Sequence, residues 1–144
     1  EPGERGNSYV VGFVKEREQV MTFKLDRIRF ADLSNNTFEF PDSFYPSHVF
    51  ANSWGVMFGE PLEEIVLRFA PSVALRVDET KWHPSQKVEI TPEDGRLLRM
   101  KISGTLEIEP WIKTWGAAVE VLAPASLREK FVAEAKELAE MYKD

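Results

Sequence analysis

Residues Leu62 to Ser103 read LEEIVLRFAPSVALRVDETKWHPSQKVEITPEDGRLLRMKIS, and most of the architecture is encoded there. Ile65, Leu67 and Phe69 take alternate positions of the run Leu62 to Phe69, the period that lines one face of a strand. Pro71 suits the first turn of a helix, where its missing N–H has no intrahelical acceptor to lose, and Val73, Ala74 and Val77 then share one side. Gln86 to Thr91 is a second strand, Glu93-Asp94-Gly95 a hairpin turn, and Leu97 to Ser103 the returning strand.

Downstream, Ile108, Trp111, Ile112 and Trp115 recur at i, i+3, i+4, i+7, with Gly116 placed to end that helix. Pro110 would remove an interior hydrogen bond, so the helix is expected to start late or to kink. Ala117 to Leu122 is a further strand. From Pro124 a long helix places Leu127, Phe131, Ala135, Leu138 and Tyr142 on one face, to be covered by the sheet or by a second copy. The order from Leu62 is thus β-α-β-β-α-β with an extra C-terminal helix. It predicts an α+β fold, a ferredoxin-like sandwich in which two helices cover one face of an antiparallel sheet.

Upstream, Tyr9 to Val14 and Val20 to Arg29 are rich in β-branched and aromatic residues and are separated by the polar stretch Lys15 to Gln19, a hairpin signal. Met21, Phe23 and Leu25 alternate with Thr22, Lys24 and Asp26. Two strands have no second layer to bury their apolar face, so the hairpin is expected to pair with another copy or to dock on the downstream module. Between Arg29 and Arg68 there is no Lys or Arg, and Asp32, Glu39, Asp42, Glu60, Glu63 and Glu64 fall in that gap. The chain has 144 residues with 18 Lys+Arg against 24 Asp+Glu, so these six acids account for the whole net charge of −6 and the remainder is balanced. Residues 30–61 are therefore expected to be an acidic connector, packed because Phe38, Phe40, Phe44, Phe50 and Trp54 are too apolar for a free linker.

Chemistry by side chain is sparse. The absence of Cys excludes disulfides, thiol catalysis and Cys-ligated zinc, and neither of the 2 histidines, His48 and His83, has a second His or an acid at i+3 or i+4 in a helical context, Glu79 preceding His83 across an expected turn. There is no Gly-x-Ser-x-Gly elbow and no glycine-rich phosphate loop. His83 is expected to orient the turn between Trp82 and Pro84. No apolar run approaches the roughly 20 residues of a membrane helix, and Glu1 to Arg5 lacks the apolar core of a signal peptide. A cytoplasmic, non-enzymatic protein with no cofactor and no metal is the expectation.

Several segments resemble one family. Ser8-Tyr9-Val10-Val11-Gly12 followed by Thr22-Phe23-Lys24-Leu25-Asp26-Arg27-Ile28 is similar to the end of a WYL domain. Trp82-His83-Pro84-Ser85-Gln86, Trp111 to Gly116 and Glu120-Val121-Leu122-Ala123-Pro124 resemble the C-terminal extension of that family, called WCX. The resemblance runs from Ser8 to Tyr142. It departs from the pattern at Ser8, Val10, Met21 and Lys24, which stand for the usual Trp, Leu, Arg and Arg, so planar guanidinium donors are lost and Lys24 keeps a point charge. WYL proteins are bacterial transcriptional regulators with a winged helix-turn-helix, an Sm-like barrel and a WCX domain, and they act as dimers that sense ligands, in some cases single-stranded nucleic acid.

The resemblance implies a C-terminal regulator fragment: residues 1–29 as a partial Sm-like β hairpin, 30–61 as the connector and 62–144 as the ferredoxin-like WCX domain. It further implies a homodimer, with hairpin exchange as one form, a single-stranded nucleic acid or nucleotide as ligand, promoter DNA only through a helix-turn-helix outside this chain, and no membrane. The ligand-binding candidates are Tyr9, Lys24 and Arg27 on the hairpin and Arg68, Arg76, Lys81 and Trp82 on the second module. Each has a plain alternative: Tyr9 as a half-buried strand residue, Arg27 paired with an acid, the arginines solvated, and Trp82 in the core beside Trp111 and Trp115. A purely structural oligomerisation module and a metabolite-binding regulatory domain are the other functional readings.

Overall fold

The computed structural model describes residues 8–39, 50–55 and 59–143. The expectations for Phe40, Asp42, Phe44 and His48 lie outside the described residues. Strands β1 (Tyr9–Val14) and β2 (Gln19–Lys24) form an antiparallel hairpin of their own. A 3-10 turn at Lys15–Arg17 and a left-handed Glu18 connect them. The second strand stops at Lys24 and not at Arg29, because Leu25–Arg27 winds into another 3-10 turn closed by the Ile28 N–H on the Leu25 carbonyl, 2.9 Å.

The second sheet has β3 (Leu62–Phe69), β4 (Lys87–Ile90), β5 (Arg96–Ser103) and β6 (Val119–Ala123) in the order β4-β5-β3-β6, with every adjacent pair antiparallel. Between them lie α1 (Ala74–Glu79), which continues a 3-10 turn begun at Pro71, and α2 (Ile108–Lys113); α3 (Ala125–Met141) follows β6. The mixed α+β content matches the expected class. The sixth strand begins at Val119 and not Ala117, since Gly116–Ala118 forms a 3-10 turn in which Gly116 takes φ +54°, a conformation that favours glycine.

Register explains the core. Ile65 stands opposite Met100 and Leu67 opposite Leu98, with Val121 on the other flank of Leu67, so β5, β3 and β6 share an apolar layer on one face, while β4 at the edge stays exposed. Ala74 and Val77 of α1, Ile108 and Ile112 of α2, Leu127 of α3 and Trp115 close over it. The opposite face carries the cross-strand pairs Glu64–Lys101 and Arg68–Glu120 toward solvent, with Val66 buried between them. Pro110 neither delays nor breaks α2. It is the third residue of a short helix, inside the first turn, where no intrahelical acceptor awaits its nitrogen.

α3 departs from its expected packing. Leu127 is buried and Phe131 half-buried, but Ala135, Leu138 and Tyr142, on the same face, are exposed. The helix simply outruns the sheet. Of the acidic connector, Phe50–Gly55 lies against the second module: the Ser103 N–H donates to the Asn52 carbonyl (2.7 Å) and the Gly55 N–H to Glu107 Oε2 (3.2 Å). Phe30, Leu33 and Phe38, nearer its start, are exposed.

Candidate functional site

The hairpin register sets Tyr9 directly opposite Lys24 and Val11 opposite Thr22. Tyr9, Thr22 and Lys24 therefore share one face, while Val10, Met21 and Phe23 share the other. Lys24 also forms an ion pair with Asp26 at 3.6 Å. Arg27 sits one residue beyond, in the 3-10 turn, and is exposed. The turn gathers an aromatic ring, an ammonium and a guanidinium at one end of the hairpin, although the sequence separates them by up to 18 positions.

On the second module the candidates divide. Arg68 donates through Nε to Glu120 Oε2 (3.1 Å) and forms a short ion pair with the same carboxylate, which Arg128 Nη1 also reaches at 2.8 Å. This trio holds the Glu120 carboxyl below its ordinary value, with the hydrogen bonds from Arg128 and then Arg68 as the leading causes. Arg76 lies over the Trp115 ring at 4.4 Å, a cation–π contact. Trp82 packs at 5.2 Å from Trp111 and 5.9 Å from Trp115, and Lys81 beside it is exposed. Arg76 and Trp82 thus meet through Trp115, whereas Arg68 belongs to the separate Glu120 cluster.

All four tryptophans are engaged in one cluster. Trp54 lies 4.8 Å from Trp111, and Phe69 meets Trp115 edge-on at 4.9 Å. The segment Trp82 to Gln86 frames this cluster. Gln86 Oε1 accepts the Trp82 N–H (2.7 Å) and the His83 N–H (3.1 Å), and its Nε2 donates to the Thr80 carbonyl at 3.0 Å. The Ser85 hydroxyl accepts the Lys101 N–H at 2.9 Å, which fastens the segment to β5. His83 is 3% exposed, and its Nδ1 accepts the Ser85 N–H at 3.2 Å. Burial pushes its pKa down, and the neighbouring Ser53 backbone offsets that only in part. The imidazole is accordingly neutral at neutral pH, a positioning residue for the turn. Sequence reasoning placed His83 in that turn but did not find its partner segment.

Two further features have no sequence signal. Arg96 is 11% exposed and clasps Asp78 through Nε and Nη2, each at 2.8 Å, while its Nη1 caps the Asp94 and Gly95 carbonyls at 2.9 Å. The Arg96 hydrogen bonds hold the Asp78 carboxyl below its ordinary value. Lys113 pairs with Glu134 at 2.7 Å and Lys130 with Glu109 at 2.6 Å, joining α2 to α3. Among the described residues no group of three or more His, Asp or Glu is placed to hold a metal ion, and no helix is long and apolar enough to cross a membrane.

A family model described as the WCX domain matches residues 61–139, more than half of the chain. No curated protein matches the sequence. Among solved structures, proteasome accessory factor B/C (PafBC) of Arthrobacter aurescens is similar at 19% sequence identity and a TM-score of 0.38, over 88% of this chain and 19% of that one. The chain therefore spans about a fifth of the length of that protein. The matched residues run from just before β3 into α3 and include the Trp82 to Gln86 frame: the chain belongs to the WCX domain family.

Proposed function

We propose that this chain is the ligand-sensing and dimerising part of a bacterial WYL-type transcriptional regulator, cytoplasmic and non-enzymatic, whose ligand is a single-stranded nucleic acid or a nucleotide-like molecule. Residues 1–29 are read as the last strands of an Sm-like WYL domain, 30–61 as the connector, and 62–144 as a ferredoxin-like WCX domain; the strand order β4-β5-β3-β6 supports the last assignment. The observation that carries the ligand reading is the pairing of Tyr9 with Lys24 on one hairpin face, with Arg27 in the turn that follows. A ring and two cations at that spacing suit a base stacked on the aromatic and a phosphate held by the charges. Arg68, Arg76, Lys81 and Trp82 are the proposed contributors from the WCX side.

Fluorescence anisotropy with labelled single-stranded oligonucleotides at two salt concentrations tests this reading. Binding that weakens as salt rises is expected, because phosphate contacts release counterions. No binding at low salt, or binding indifferent to salt, removes it. The structural-module reading draws support from Arg76 and Trp82, whose charge and ring face their own fold. It expects no oligonucleotide binding and an intact dimer.

A further inference from the structure

We propose that the outer face of α3 is a self-complementary surface on which a second copy of this chain packs antiparallel, with the twofold axis between Val132 and Ala133. The proposal rests on the dimeric reading above and names the surface that reading leaves open. The two sides of α3 differ in what they do with their charges. Toward the fold, Lys130 pairs with Glu109, Glu134 with Lys113, and Leu127 and Phe131 anchor the helix. On the far side Ala125, Glu129, Val132, Ala133 and Lys136 line a shallow groove along the helix, edged by Arg128, which turns back to Glu120 of the fold, and Val132 is 45% exposed.

Glu129 and Lys136 in that groove form no ion pair among the described residues. They stand seven residues apart on the stripe i, i+3, i+4, i+7, i+8, i+11, so they lie on the same side of the helix, about 5 Å above and below the point between Val132 and Ala133. A twofold axis through that point brings each Glu129 opposite the Lys136 of the other copy. Two ion pairs then flank an apolar centre of Val132 and Ala133, with Ala125 small enough toward the ends to let the helices approach. An isologous interface requires this self-matching, because the same patch must serve both partners. A partner of uniform charge would meet one matching and one opposing side chain on the same stripe.

Sedimentation equilibrium of the full chain over a concentration series, with far-UV circular dichroism to confirm helix content, tests the surface. The expected result is a dimer that Glu129→Lys or Lys136→Glu each weakens about tenfold or more, since either change turns both pairs repulsive. The double exchange Glu129→Lys with Lys136→Glu restores it. A dimer equally stable in the wild type, both single variants and the exchange overturns this surface while leaving the dimeric reading in place. A wild type that stays monomeric throughout the series overturns both.

Discussion

A Cβ at Gly95 would stand 2.4 Å from the Phe69 carbonyl oxygen and 3.1 Å from the Thr91 hydroxyl, although Gly95 itself has an ordinary φ and the left-handed position of the turn is Asp94 at 63°. The constraint is close approach of two strands, and Gly95→Ala is expected to lower stability by about 1–3 kcal/mol in a denaturant melt. His83 acts through protonation. Its folded pKa lies below the ordinary 6.5, so as pH falls below that value the unfolded chain binds a proton that the buried ring does not, and stability declines. Urea melts at about pH 7.5 and about pH 5.5 are expected to show that decline in the wild type and a smaller one in His83→Gln. Asp78 and Glu120, both held low by arginine, contribute stability that is present above their unfolded values and is lost at lower pH, as they protonate. The sequence showed that His83 belonged to a turn. It did not show burial, because the covering segment around Ser53 is 30 residues away and bears no motif.

Phe50–Gly55 precedes the residues matched by the WCX model, yet Trp54 completes the aromatic cluster of that domain. Trp54→Ala is expected to cost roughly 2–3 kcal/mol, somewhat less than removal of a fully buried tryptophan, and to shift the fluorescence of the remaining three. No loss of stability would mean that the segment merely rests on the domain. Strands and their order were legible because a period of two and the turn at Glu93-Asp94-Gly95 are local signals. Ends were less so. Nothing in Leu25-Asp26-Arg27 marks a 3-10 turn, since neither Gly nor Pro is present, and the apolar stripe of α3 gives no hint that the sheet beneath it ends near Phe131. Pro110 misled for a related reason: its effect depends on whether it falls in a first turn, and short helices have ends that periodicity does not locate.

Across the molecule, charge is distributed differently from the pattern along the chain. Basic residues crowd the stretches Arg96 to Lys101 and Arg128 to Lys143 in the sequence, but Arg96, Arg99, Arg128, Lys130 and Lys143 all pair with carboxylates contributed by other strands or helices or by a near neighbour. Such pairing depends on contacts up to 21 residues apart and is invisible to a linear reading. The hairpin retains Lys15, Arg17, Lys24, Arg27 and Arg29, with one ion pair described, Lys24 to Asp26. An anionic ligand is therefore expected to meet the hairpin first. The most direct measurement compares the wild type with the double variant Lys24→Ala, Arg27→Ala, titrating a labelled single-stranded oligonucleotide at several salt concentrations. A ligand site on the hairpin predicts weaker binding for the variant and a salt slope reduced by about 1.4, the loss of two phosphate contacts on a single strand. An unchanged affinity and slope would contradict it.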